Sequence, residues 1–468
     1  MGAEANPTEF IDLSWQRRVH IVGVGGAGMS AIATVLAAMG HHVTGTDLKA
    51  SAALDRLRAV GVEVSIGHSA VHIGDVEAVA ISTAIPPGNP EVTAARERGI
   101  AVLRRADVLS AIAACRRTAA VAGTKGKTTT TSMLALILVE SGLRPSFIVG
   151  GDVNDVGGGA VWDKGDWFVV EADESDGTFL ELGADAVLVT NIEPDHLDYW
   201  GTFDALLAAF ERFLSSAPGP RLVCADDPWA AALGQRVGAV TYGMSAGADW
   251  QLTEVTTSRS SVIFSVVHEG AVVATIRLPV PGLHNARNAG GALAMAVSLG
   301  APVDAAVRAL ERYAGVARRF QFRGEAAGVT FVDDYAHLPT AVAAALDTAR
   351  RGDWRRVVAV FQPHRYTRTA TLADSFADAF VDADVLVVTD IYPAGEAALP
   401  GVSGKLIVDA VLDAHPTTRL AWLPARHDVA DYLARLLRAG DLCLTLGAGD
   451  ITSLPDELID RLRDRGHD

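Results

Sequence analysis

Gly123-Thr124-Lys125-Gly126-Lys127-Thr128-Thr129 carries two of the five lysines of this 468-residue chain, one residue apart. An apolar run, 118–122, precedes it, and 130–140, with leucines at helical spacing, follows, so the order reads strand, turn, helix. Backbone N–H groups at a helix N-terminus attract an anion, and glycine lets a phosphate approach without a Cβ in the way. Lys127 is then placed to reach the β- and γ-phosphates of a nucleoside triphosphate, and the Thr128 hydroxyl to ligate Mg²⁺. One position departs from the usual pattern: Val121 stands where a glycine is expected five residues before Gly126. A plain glycine turn would account for the glycines but not for Lys-Thr at the helix start.

Outward from this loop the chain reads as three α/β units. The first, 1–114, opens with a strand at 18–22, then Gly23-Val24-Gly25-Gly26-Ala27-Gly28, a helix, and a second strand at 42–46 ending at Asp47. That is the fingerprint of a Rossmann-like, dinucleotide-binding turn, which alone suggests a nicotinamide or flavin oxidoreductase. The second, 115–316, holds the lysine loop. Its strand 167–170 runs into Glu171-Ala172-Asp173-Glu174-Ser175-Asp176, and 186–190 into Asn191-Ile192-Glu193-Pro194-Asp195-His196. In an open parallel sheet ligands sit beyond the carboxyl ends of strands, so both acidic clusters are expected to face the loop. The third, 317–468, repeats the alternation and ends its strands in polar clusters, among them Asp333-Asp334-Tyr335-Ala336-His337 and Gln362-Pro363-His364-Arg365-Tyr366-Thr367-Arg368.

Composition sets limits. The formal net charge of -16 disfavours nucleic acid and acidic membranes, so a phosphate-bearing ligand needs local positive features such as this loop. Three scattered cysteines lack metal or redox spacing and suit a reducing compartment. No apolar stretch reaches about 18 residues, and 1–18 lacks the marks of a secretion signal, so the expected location is the cytoplasm.

Phosphoryl transfer requires a triphosphate cradle, a divalent cation and cationic side chains around the moving group. Thr128 and Glu171 are hard-oxygen candidates for Mg²⁺, with His196 as a nitrogen candidate for a second ion. Asn285 and Asn288 share a helix face and suit nucleotide groups, or serve only as helix caps. Arg318 or Arg319 is a candidate clamp on the γ-phosphoryl group. A diphosphate-linked sugar and a dinucleotide present the same anion to the first glycine turn, and the lysine loop favours an ATP-driven reaction on the former.

Taken in order, these motifs resemble the Mur ligase family over nearly the whole chain, together with His284-Asn285, Arg318-Arg319-Phe320 and Gly447-Ala448-Gly449-Asp450. The resemblance implies ATP and Mg²⁺ as cofactors and UDP-N-acetylmuramate and L-alanine as substrates, joined through an acyl phosphate. It implies that Gly25, Gly26, Gly28 and Ser30, with Asp47 and Thr83, hold the UDP-sugar, and that Gly123, Thr124, Lys125, Gly126, Lys127, Thr128, Thr129, Asn285 and Asn288 hold ATP. It further implies catalytic roles for Lys127, Glu171, His196, Arg319 and His337, and an amino-acid site of Tyr335, His337, Arg365 and Arg368. Members that add later residues carry a carbamylated lysine where Phe210 stands here. Lys125, Leu283, Arg287, Ala336 and Leu338 depart from residues common in the family. A peptide-recycling ligase acting on UDP-N-acetylmuramate is the alternative within it. Lys127 is expected to be an exposed loop lysine whose removal spares the fold.

Overall fold

The computed structural model describes residues 11–153, 158–258 and 260–465. The N-terminal segment read for a secretion signal therefore lies partly outside the described residues. The chain forms two compact units, one of Met1–Val255, Ile263–Pro279 and His284–Ala314, the other of Thr256–Val262, Val280–Leu283 and Gly315–Asp468. Three largely parallel α/β sheets supply the architecture expected from the alternating sequence pattern.

In the first sheet all five strands run parallel, in the order Glu63–Ile66, His42–Asp47, Arg18–Val22, Ala78–Ile81, Ala101–Arg104. Arg18–Val22 lies between His42–Asp47 and Ala78–Ile81, with Glu63–Ile66 beyond the former, so the chain reverses its winding there. The glycine turn that follows it opens at that switch, where doubly wound sheets bind ligands. Arg18–Val22 and Ala78–Ile81 are buried over most of their length, as strands between helix layers are. Within them His20 is a buried polar residue at 1% exposure, and its Nδ1 lies 2.7 Å from Thr44 Oγ1. Nearby, fully buried Glu91 accepts bonds from Thr46 Oγ1 and the Ser69 N–H and faces the ring nitrogens of His68 and His72. Burial works to raise its carboxyl pKa, but the pull of His20, Thr46, His72 and the Ser69 N–H prevails and holds it at about 2.

The second sheet has ten strands. At its centre Arg117–Ala122 is flanked by Trp167–Glu171 and Ala186–Val189, both parallel to it. The lysine loop therefore leaves the middle strand with one acidic segment on either side. Helix Lys127–Glu140 continues from it and is buried from Thr128 to Leu138. Ser132 Oγ and Tyr313 OH meet at 2.7 Å, satisfying two hydroxyls inside that packing. Phe210 is buried beside Phe179 and Phe213, at centroid distances of 5.2 and 5.0 Å from Phe179 for the two rings respectively.

In the second unit a six-stranded sheet runs Gln321–Ala326, Val329–Asp334, Asp441–Leu446, Arg356–Phe361, Val385–Val388, Leu420–Trp422. Only the first pair is antiparallel. Four polar strand ends, after residues 334, 361, 388 and 446, consequently share one rim. Among the described residues no helix is long and apolar enough to cross a membrane.

Candidate active site

The lysine loop is stapled to the strand end beside it. Thr124 N–H donates to Asn191 O at 3.0 Å, Lys125 N–H to Asn191 Oδ1 at 2.9 Å, and Glu193 N–H to Thr124 Oγ1 at 2.9 Å. Asn191 Nδ2 and Thr190 Oγ1 both donate to the Lys125 carbonyl, at 2.8 and 2.6 Å. Two glycines make this closeness possible. A Cβ on Gly123, at φ 129°, would stand 2.2 Å from Thr190 Oγ1, and one on Gly126, at φ 83°, would stand 2.6 Å from Asn288 Oδ1. Asn288 thus packs on the loop and lies 3.4 Å from Asn285 through their amides. Both are inside helix Leu283–Ser298 and buried, which sets aside the reading of them as caps.

Each lysine has a carboxylate from one of the acidic segments. Lys125 Nζ donates to both Glu193 oxygens, at 2.7 and 2.6 Å. Burial lowers the Lys125 pKa, against the pull of Glu193. Lys127 Nζ donates to Gly123 O at 2.6 Å and to Glu174 Oε2 at 2.7 Å. Its side chain is 17% exposed and that of Glu174 1%. The expectation of an exposed loop lysine is corrected by this burial, and losing Lys127 should cost about 3 kcal/mol or more because a buried carboxylate is left without its counter-charge. Burial raises the Glu174 pKa even with Lys127 beside it. At Asp173 burial acts the same way, but Lys127, Ser175 and Arg105 outweigh it and the pKa falls.

Thr128 Oγ1 donates to Glu171 Oε2 at 3.0 Å, and the Gly150 N–H holds the other Glu171 oxygen. A Cβ at position 150 would stand 3.0 Å from that carboxylate, so glycine keeps the approach clear. A hydroxyl and a carboxylate converging at the end of a phosphate loop fit Mg²⁺, a hard cation that takes few protein ligands and completes its shell with water and phosphate oxygens. Among the described residues no group of three or more His, Cys, Asp or Glu side chains forms a cage. His196 follows on the stapled segment at φ 52°, with Nε2 3.6 Å from Asp195 Oδ2.

The residues read for the UDP-sugar lie in and beside the first glycine turn. Gly25 N–H donates to Asp47 Oδ2 at 2.9 Å and Gly26 N–H to Gly23 O at 3.2 Å, so Asp47 braces the turn. The N–H groups still facing outward belong to the first turn of helix Ala27–Ala38, where Gly28 lies. Ser30 Oγ donates to Ala27 O at 3.0 Å, and Thr83 is exposed on the neighbouring strand end. The structure adds Arg105, which the sequence reading passed over. A Cβ on Gly28 would meet Arg105 Cδ at 3.4 Å, while the same residue lines a small cavity with Glu171, Asp173 and Thr178. Its guanidinium thus links the surroundings of the two glycine turns.

In the second unit, Arg318 Nη2 donates to Gly447 O at 2.7 Å and Gly449 O at 3.2 Å, and Nε lies 3.4 Å from buried Asp333. Arg318 therefore holds the rim together. The Arg319 guanidinium stands 5.2 Å from the Tyr335 ring centroid. Tyr335, His337 and His364 follow in ring contact at 5.2 and 5.5 Å. Arg368 Nη1 lies 3.0 Å from His364 Nδ1, and the Arg365 N–H donates to Tyr392 O at 2.9 Å. Burial and then the Arg368 charge bring His337 down to about 3 and His364 to about 4. Both imidazoles are neutral near pH 7. His337 meets the Tyr335 carbonyl through Nδ1 at 2.9 Å, which leaves Nε2 as an acceptor.

A phosphate loop whose lysine and threonine meet carboxylates from the flanking strands, in one unit with a second glycine turn on a doubly wound sheet, defines a nucleotide-binding α/β enzyme. Three profiles narrow the class: "Mur ligase family, catalytic domain" matches residues 18–117, "Mur ligase middle domain" 121–296 and "Mur ligase, glutamate ligase domain" 318–449. The chain belongs to the Mur ligase family. It is 47% identical over 459 residues to the UDP-N-acetylmuramate--L-alanine ligase of Kineococcus radiotolerans, covering 96% of this chain and 97% of that one. The enzyme of that name from Pelotomaculum thermopropionicum is 43% identical over 454 residues, covering 96% and 98%. Among solved structures, UDP-N-acetylmuramate-alanine ligase from Thermotoga maritima aligns with a TM-score of 0.81 at 28% identity, over 96% of this chain and 100% of that one. A murein peptide ligase from Psychrobacter arcticus aligns at 0.71 and 26%, over 96% and 99%.

His337 and His364 give a pH signature. Each takes up a proton in the unfolded chain near its ordinary pKa of about 6.5 but resists it when folded, so stability must fall as pH drops from about 6.5 toward 4. Thermal melts across that window should show a shallower acid decline in His337→Gln than in the parent; equal slopes would remove His337 as a source.

Proposed function

We propose that this chain joins L-alanine to the lactyl carboxylate of UDP-N-acetylmuramate at the expense of ATP. The observation that carries the reading is the 43–47% identity, over nearly full length, to relatives named for that reaction. The higher TM-score against the L-alanine ligase than against the murein peptide ligase favours a single amino acid over a peptide as acceptor.

In this reading 1–114 binds the UDP-sugar, 115–316 binds ATP, and 317–468 binds the amino acid. The lactyl carboxylate attacks the γ-phosphorus, ADP leaves, and an acyl phosphate forms. The alanine amine then attacks the acyl carbon, phosphate departs, and the nitrogen gives up a proton as the amide forms. Lys127 offsets the charge of the transferring group, and the loop N–H groups hold the remaining phosphates. Thr128 and Glu171 would hold Mg²⁺, with His196 a candidate for a second ion. When bound, the metal neutralises charge on the β- and γ-oxygens. Arg319 follows the phosphate charge. Arg365 and Arg368 grip the alanine carboxylate, and neutral His337, beside Tyr335, accepts a hydrogen bond from the amine. We assign the reaction to the cytoplasm, where ATP and nucleotide-linked sugars meet.

Two outcomes follow. UDP-N-acetylmuramate and L-alanine together, but neither alone, should provoke ADP and phosphate release with Mg²⁺ in a coupled assay run over a panel of amino acids and muropeptides. Turnover with a peptide only would install the recycling reading instead. Lys127→Ala should lower turnover by about a hundredfold or more. It should also lower the melting temperature, because Glu174 is left buried without its counter-charge; an unchanged melt would contradict the pairing described above.

A further inference from the structure

An ammonium group has three N–H donors. Lys127 spends one on Gly123 O at 2.6 Å and one on Glu174 Oε2 at 2.7 Å, which leaves one. The direction of that third donor is fixed once the other two are held. Gly123 O belongs to the loop itself, so the side chain that sets the direction is Glu174. Its own position is well supported: the Trp200 indole N–H donates to the Glu174 carbonyl at 2.9 Å, and its carboxylate is almost wholly buried. The other carboxylate oxygen, Oε1, is also buried and has no partner among the described residues. Burying a carboxylate is costly, and Lys127 is the cation that offsets the cost here.

We propose that Glu174 is a positioning residue that aims the remaining N–H of Lys127 at the terminal phosphoryl group. The proposal rests on the reading of the loop as an ATP site. Its consequence separates binding from chemistry. Glu174→Gln preserves the shape and one acceptor oxygen but removes a negative charge, so a phosphate anion should be held at least as well in the ground state while the lysine loses its fixed aim. Glu174→Asp keeps the charge but is shorter by one methylene, which draws Nζ away by roughly 1 Å, a displacement that costs about a hundredfold where alignment matters.

The test uses the full chain and both variants, with steady-state kinetics on ATP, UDP-N-acetylmuramate and L-alanine, melts, and calorimetric titration with Mg·ADP. Glu174→Gln should lower kcat about tenfold or more, with KM for ATP unchanged or lower and ADP affinity within about threefold of the parent, since ADP lacks the phosphoryl group concerned. Glu174→Asp should lose more kcat with the same ADP affinity. Parental kcat in both variants overturns the proposal, as does a loss of kcat matched by an equal loss of ADP affinity. If Glu174→Gln does not fold, Glu174→Asp decides on the same readings. A parent chain that binds no Mg·ADP removes the ATP reading and this proposal together, whereas the other contrary results remove this one alone.

Discussion

A lysine drawn out of water must keep its charge compensated and its donors occupied, and the centre of the first unit is built to that requirement. The Lys127 ammonium is shared between the carbonyl of its own loop and a carboxylate buried beneath it. That arrangement depends on the strand order, because Glu174 follows the strand on one side of the loop and Glu193 the strand on the other. The pairing also separates the three glutamates by partner. Glu174 and Glu193 each face a lysine, and Glu171 faces the Thr128 hydroxyl.

The same economy governs charge over the whole molecule. A chain of net charge -16 repels a nucleoside triphosphate at long range, so the anion must be drawn in by a few concentrated positive features. The loop N–H groups, two lysines and Arg105 are such features in the first unit. In the second, Arg319, Arg365 and Arg368 cluster around aromatic rings and two imidazoles held neutral. Neutral histidines there avoid adding like charge beside these guanidinium groups.

Much of this was legible in the sequence because parallel sheets leave a strong imprint. Continuous apolar strands ending in glycine or acidic clusters identify both the sheet and its ligand-facing edge, and so lead one to expect both acidic segments to face the lysine loop. What escaped notice lacked that imprint. Strand Gln321–Ala326 is a polar edge with an irregular register around Gly324, so no alternation announced it. Arg105 sits on a helix far in sequence from the first glycine turn, and its approach to Gly28 comes only from packing. The bond from the Gly25 N–H to the Asp47 carboxylate had no mark in the sequence either. The burial of Lys127 was likewise invisible, because its partner Glu174 is 47 residues away and looks, in sequence, like one acid among several.

The claim on which the account turns is that the loop at 123–129 seats the phosphates of a nucleotide. Calorimetric titration of Mg·ADP into the parent chain and into Gly126→Ala tests it most directly, since the added Cβ would press on Asn288 at a backbone angle that suits glycine. The account predicts saturable binding at one site per chain in the parent and at least a tenfold weaker affinity in the folded variant. Equal affinity in the two proteins would contradict it.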